Sequence, residues 1–268
     1  MTLIITEVSR LGIAMVADSA YTPHGGGAIV YRPKVFGSSK LGVGISLWGN
    51  YLPPQPELWV PAFLAKEEAS GASNIHSLAS HLEAELRAAC PLARPVGGVQ
   101  ATVGFHVAGF DSGYPILYHV HNGVSQALSA RGITVNPQLI NANQDLDLPS
   151  AQALVASSAT ASYLTRNGDF RLYAIISHFL DPLLGPLDPL RQGPGLTTGF
   201  GTLYIPGGNT LRHRADYLAA QVRLVSTLLG VSNITALLGT NSPHIGGEIL
   251  ALELDGKTPQ GTPRVVPV

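Results

Sequence analysis

Apolar and polar positions along the chain fall into short blocks whose period changes. LIITEVS and IAMVAD flank Arg10-Leu11-Gly12, two apolar runs around a glycine-containing loop, which predicts a β-hairpin. IVYRPKVF and KLGVGISLW repeat the arrangement around Gly37-Ser38-Ser39. Pro33 marks that third strand as an edge or a bulge, because proline cannot donate to a strand ladder. From Pro61 to Cys90 the pattern turns helical: PAFLAKEEA, then a helix opened by Ser73 with Leu78, Leu82 and Leu86 on one face. VQATVGFHVAGF and YPILYHVH form a second strand pair about the turn Asp111-Ser112-Gly113. Residues 122–150 are polar and turn-rich and receive no element. Helical patterns cover roughly 151–164 with 170–184, and then 212–229, with a long proline- and glycine-rich loop over 181–201. GEILALEL reads as a last strand. Strand pairs, a helix pair, more strands and more helices predict an α+β fold, a four-layer αββα sandwich of two antiparallel sheets flanked by helices. A single domain is expected over 1–256, with a mobile tail over 257–268.

Composition narrows the class. Apolar residues are 45% of 268, enough for a large core, while charged residues are only 12%. That is about half the usual ~25% for soluble domains, so copies of the chain are expected to cover much of one another's surface. A formal net charge of −1 gives no basic footprint for nucleic acid and no polybasic patch for a membrane. The single cysteine, Cys90, excludes an internal disulfide framework and fits a reducing compartment. The amino-terminal apolar run is short, is interrupted by Thr6 and Glu7, and has no basic n-region, so it does not read as a signal peptide. No apolar run approaches the ~20 residues that span a bilayer. A soluble, cytoplasmic protein is expected.

The chemistry begins at Thr2, directly behind Met1. It is either the first residue of an edge strand or, once the methionine is removed, a terminal residue carrying both a hydroxyl and a free α-amine, a nucleophile with its base built in. If Arg10, Leu11 and Gly12 form the hairpin loop, Asp18 lies opposite Ile4, on the same face as Thr2 and roughly 7–8 Å away along the diagonal. A one-residue slip sends the carboxylate to the other face. Met15, Val16 and Ala17 place Asp18 in apolar surroundings, where a carboxylate wants a cation. Lys34, sixteen residues on among Tyr31, Val35 and Phe36, is either a solvated edge charge or that partner.

Thr2, the sequence Ala17-Asp18-Ser19, and Lys34 at equal steps resemble the proteasome β-subunit family of N-terminal-nucleophile hydrolases, a pattern that the bacterial HslV and Anbu peptidases share. GFHVAGFDSGYPILYHV at 104–120 is similar to the family's strand–turn–strand, and TNSPHIGGEILALELDG at 240–256 to its last helix-to-strand passage. The resemblance implies a threonine-type peptidase or amidohydrolase. Thr2 Oγ would attack a peptide or amide carbonyl, its α-amine would act as base, Lys34 would lower the pKa of that amine, and Asp18 would hold Lys34. It implies an oxyanion donor at Gly49. Counting without a gap from Lys34 reaches Trp48, so Gly49 requires a one-residue shift in the hairpin. Tyr21, Arg32, Phe36, Ser46 and Tyr51 would line an aromatic-walled substrate pocket. No metal or cofactor is implied. The implied setting is a ring or double ring of identical subunits, with an ATP-dependent unfoldase as a partner the sequence does not identify. With nothing ahead of Met1, removal of that methionine would suffice for activation.

Two departures change what surrounds the nucleophile. Ser242 stands where the family has an aspartate, and Ile245 where it has a second serine. They keep open an amidase acting on a small molecule, or a catalytically silent structural homologue. The remaining motifs read plainly. His119-Val-His121 is expected at the surface rather than as a metal fragment, His24-Gly-Gly-Gly is a loop, Cys90 is a packed thiol, and Asn233-Ile-Thr235 has no meaning as a glycosylation acceptor without secretion.

Overall fold

In the computed structural model, which describes residues 2–21, 29–49, 55–71, 74–89, 103–122, 140–157, 161–168, 210–229, 245–256 and 264–266, the two opening runs become β1 (Leu3–Ser9) and β2 (Gly12–Asp18). Both are buried along their whole length, which is why each reads as a nearly continuous apolar run. The hairpin is tighter than its sequence implies. Ser9 pairs with Gly12 and Ile4 with Ala17, leaving only Arg10 and Leu11 in the turn.

Proline splits the third run. β4 (Val30–Tyr31) pairs with β3 (Ala20–Tyr21) in a separate two-stranded ribbon, and β5 (Val35–Ser38) begins only after Pro33 and Lys34. β6 (Val43–Gly49), β7 (Val103–Asp111), β8 (Tyr114–His121) and β9 (Asn141–Leu146) follow β5 as successive antiparallel neighbours. The other large sheet has the order β10 (Ser162–Gly168), β1, β2, β11 (Ile249–Leu254), β12 (Arg264–Val266).

Strand alternation settles which side chains meet. A Cβ on Gly44 would strike Met15, Leu252 and Leu254, so Gly44, and with it Ser46 and Trp48, looks from β6 toward the β1–β2–β11 sheet. The opposite face, with Ile45 and Leu47, looks toward α1 (Pro56–Ser70) and α2 (Ile75–Ala89). In α2 the leucines 78, 82 and 86 are all buried. The short α3 (Leu148–Ala156), capped by Asp147 accepting from Ser150 N, packs on β8. α4 (Leu211–Leu229) lies against β2 and β11 and seals a second core of Leu3, Ile5, Val16, Leu218 and Val222.

The four-layer αββα sandwich expected from the sequence is therefore corrected. The described residues form three antiparallel sheets, one only a two-stranded ribbon, and four helices, of which α4 alone covers the β1–β2–β11 sheet. The reason lies in 151–168. The helix expected over 151–164 stops at Ala156, and SYLTRNG continues instead as β10 along the free edge of β1. The helix expected over 170–184 lies outside the described residues. No described helix is long and apolar enough to cross a membrane.

One ion pair ties α4 to β1. Arg214 Nε donates to Glu7 Oε1 at 2.7 Å, and both side chains are almost fully buried. Burial pushes the Glu7 carboxyl above its ordinary pKa while the Arg214 guanidinium opposes the rise. Arg214→Met strands that carboxylate, and the expected loss is about 3–5 kcal/mol of stability, read as a lowered urea midpoint.

Candidate active site

Asp18 is the node. Its carboxylate is fully buried and accepts four hydrogen bonds. Oδ1 takes Leu3 N and Lys34 Nζ, each at 3.0 Å, and Oδ2 takes Ala20 N and Gly246 N, each at 3.1 Å. The tightened hairpin puts Asp18 across from Leu3, one step from the register expected, so it shares the face of Leu3 and not, as expected, that of Thr2; Ile249 pairs with it from the other side. The carboxylate thus reaches the start of the chain through the backbone amide of Leu3.

Lys34 is 1% exposed and donates to both Asp18 and the carbonyl of Ala20. The alternative of a solvated edge charge is thereby excluded. Burial pulls its pKa below the ordinary lysine value, and the Asp18 charge and hydrogen bond oppose the fall. A cation here is costly without its partner and held in one place with it.

Thr2 is buried, 5% exposed, at the entry to β1. Gly168, the last residue of β10, pairs with Leu3 and packs directly on the Thr2 carbonyl. A Cβ at Gly168 would lie 1.8 Å from that oxygen, and the residue has φ +97°, so only glycine fits there. Gly49 ends β6 at φ +126°. Its neighbour Trp48 lies over Gly104, where a Cβ would come within 2.3 Å of the indole ring.

The five pocket candidates do not form one wall. The Arg32 guanidinium lies over the Tyr21 ring, 5.7 Å from its centroid, and pairs with Glu57 at 3.3 Å. Phe36 lines a cavity of about 480 Å³ with Pro33, Val35, Glu57, Pro61 and Leu64. Ser46 faces the other way. It pairs with Val35, whereas Phe36 pairs with Ile45, so Ser46 and Phe36 sit on opposite faces of the sheet. Tyr51 and Ser242 fall outside the described residues, as do Cys90, His24 and Asn233. Ile245 is buried in the α4 core.

Several contributors went unread in the sequence. Gly246 supplies an N–H to Asp18, and its carbonyl accepts from Ser19 N and Ala20 N. Backbone contacts of this kind leave no trace in side-chain identity. Gly168 did leave one, because Asn167-Gly168 is a turn signal that ends a strand. His119 and His121, expected at the surface, are buried at 6% and 1% exposure. Among the described residues no group of three or more His, Cys, Asp or Glu is arranged to hold a metal ion.

No protein-family model matches the chain, and no curated protein does. Solved structures do. The fold is similar to Anbu (ancestral β-subunit) from Yersinia bercovieri, at TM-score 0.53 and 11% identity over 99% of this chain and 86% of that one. The Gly-1 mutant of Anbu from Hyphomicrobium sp. strain MC1 gives TM-score 0.52 and 13% identity over 99% and 87%. Anbu from Pseudomonas aeruginosa, solved as a helical assembly, gives 0.53 and 14% over 98% and 86%. These matches correct the placement drawn from the sequence, which centred on the proteasome β-subunit and HslV type; the likeness found is to Anbu. At such identities it establishes the fold alone.

Proposed function

We propose that the chain is an N-terminal-nucleophile hydrolase that cleaves peptide or amide bonds with Thr2, as one domain over residues 1–256 of a self-assembled particle. The observation that carries this reading is the buried Lys34–Asp18 pair bonded to the amide of Leu3, one residue from Thr2. A lysine and an aspartate inside an apolar core are expensive to keep as mere structure. Beside an amino terminus they have a chemical use. The Lys34 ammonium disfavours the protonated α-amine and lowers its pKa from the ordinary ~7.7–8.0 toward neutrality, where it serves best as a base.

The reaction then follows. With Met1 removed, the α-amine takes the proton from Thr2 Oγ, and Oγ bonds to the substrate carbonyl carbon. The carbonyl π electrons move to oxygen, and that oxyanion accepts a hydrogen bond from the Gly49 N–H. The ammonium at Thr2 returns its proton to the leaving amine as the C–N bond breaks, leaving an ester on Oγ that water hydrolyses by the same path. Gly168 fixes the Thr2 backbone during both steps. Tyr21, Arg32 and Phe36 stand near the strand ends as substrate contacts. Self-association is supported by the low charged fraction of 12% and by the fold's likeness to an Anbu that was solved as an assembly.

Intact mass of the assembled protein tests this. The expected mass lacks Met1, and a threonine-directed electrophile adds once per chain to native protein and not at all to Thr2→Ala. Retention of Met1 in the mature particle overturns the proposal, because an acylated amine is no base.

A further inference from the structure

Between the two large sheets, the layer beside β1 is polar. His106 of β7 bonds through Nδ1 to Thr6 Oγ1 of β1 at 2.9 Å and through Nε2 to Asn167 Oδ1 of β10 at 2.6 Å. Its ring meets His119 edge-on at 5.2 Å, and His119 stacks on His121 at 4.0 Å. Indole and amide N–H groups can only donate. Trp48 Nε1 therefore donates to His119 Nε2 at 3.1 Å, and Asn143 Nδ2 donates to His121 Nε2 at 3.2 Å. Both acceptor nitrogens must be free of a proton. His106 Nε2 in turn donates to the Asn167 amide oxygen, and the three rings, all nine-tenths or more buried, bridge β1, β6, β7, β8, β9 and β10.

The two ends of this network matter most. Asn167 immediately precedes Gly168, which packs on Thr2, and Trp48 immediately precedes Gly49. We propose that the His106–His119–His121 stack is a pH-sensitive positioning unit for the Thr2 site, which holds the ends of β10 and β6 in place while neutral and releases them on acidification. This rests on reading Thr2 as the nucleophile.

Among the described residues, the strand positions registered beside His106 and His119 are uncharged. β1 presents Thr6 between Ile4 and Val8, β10 presents Tyr163, Thr165 and Asn167, and β6 presents Ser46 and Trp48. β9 presents Asn141 and Asn143. Glu7 points to the opposite face, to Arg214, and Arg166 alternates to that face as well. The carboxylate of β9, Asp145, sits at the bulge between Leu117 and Tyr118, off the register of His119 and His121. Tyr118, with His76 and Asp111, occupies the other face of β8. Among the described residues, no carboxylate is registered beside His106 or His119. Accordingly burial lowers the His106 pKa from 6.5 to about 4, and burial with the neighbouring histidines lowers that of His119 well below 6.5.

The sign follows. The folded state keeps His106 and His119 neutral while the unfolded chain protonates them near 6.5, so their stabilising effect is complete above that pH. It is lost as pH falls below 6.5, for His106 through about 4. The step is protonation of His119 at Nε2, which turns an acceptor into a donor facing the indole N–H.

Trp48 reports on this directly. The chain has two tryptophans, so Trp59→Phe leaves Trp48 as the sole emitter. In the assembled protein its fluorescence is expected to change reversibly, with a midpoint well below pH 6.5. Over the same range the rate of electrophile addition should fall more steeply than the tenfold per pH unit of a single amine. His119→Gln, whose amide oxygen can accept from Trp48, should abolish the emission change. With His106→Gln added, the rate should return to tenfold per unit. Trp48 emission that stays flat on acidification until the chain unfolds, or an unchanged transition in His119→Gln, overturns the proposal. Should the double variant fail to fold, hydrogen exchange in the wild type decides: amides of 46–49 and 163–168 must open below pH 6 ahead of those in α2. A chain that adds no electrophile at any pH refutes the nucleophile reading, and the Trp48 transition with its loss in His119→Gln then judges the histidine device alone.

Discussion

Lys34→Met is expected to lose about a thousandfold in electrophile addition at Thr2 while the chain still folds and assembles. The magnitude is that of a general base deprived of its proper pKa, about 10²–10⁴. The survival of the fold follows from what Asp18 keeps. Without Lys34 its carboxylate still accepts from Leu3 N, Ala20 N and Gly246 N, each a hydrogen bond to a charged group worth about 1.5–3 kcal/mol. The expected cost is about 2 kcal/mol, below the ~3–5 of a buried pair broken with nothing left to satisfy the survivor. Asp18→Asn should lose stability as well. An amide there turns one acceptor into a donor, aimed either at Ala20 N and Gly246 N or at Leu3 N and Lys34. It also strands Lys34, whose pKa burial already lowers. That variant should lose the full ~3–5 kcal/mol and its addition rate together. Urea midpoints and addition rates on both variants separate the roles. A Lys34→Met protein that still adds the electrophile at the wild-type rate excludes the lysine from the chemistry.

What could be read before the structure divides by physical signal. β1, β2 and the β7–β8 pair were legible because apolar runs and turn residues mark buried hairpins, and α2 because its leucines recur at helical spacing. The register of the first hairpin was not. Gly12 sits in the strand at φ +128° instead of in the loop, and sequence does not distinguish these. β9 and β10, NANQDL and SYLTRNG, carry no apolar stripe because their inward side chains bond to histidines, Asn143 to His121 and Asn167 to His106. A strand that lines a polar layer has no hydrophobic period to find. The same layer explains why His119-Val-His121 read as surface. The juxtaposition of Asp18 and Lys34 followed from their apolar neighbours, whereas the Gly246 amide that completes the node is a backbone group with no code in the sequence. Ser46 and Phe36 were expected on one wall, whereas Ser46 pairs with Val35 and Phe36 with Ile45, and one step along a strand changes the face.

Gly168→Ala is expected to reduce electrophile addition at least about a hundredfold, through position alone. A Cβ at 1.8 Å from the Thr2 carbonyl oxygen and 2.7 Å from its carbon cannot be accommodated in place. Both contacting atoms are backbone, so no side chain can swing aside, and the entry to β1 must move by about an ångström. Displacement on that scale, applied to a nucleophile and its base together, costs on the order of 10² in rate. The substitution also strains the backbone, because φ +97° is unfavourable for alanine, by about 1–3 kcal/mol. The two effects need separating, and Gly71 provides the control. It caps α1 at φ +71° with nothing within 4 Å of a built Cβ, so Gly71→Ala carries the conformational strain without the collision. Similar urea midpoints for the two variants, with addition lost only in Gly168→Ala, assign Gly168 to holding Thr2. Equal losses of addition in both would show that reactivity tracks global stability, and the packing of β10 against the chain start would then have no special part in the chemistry.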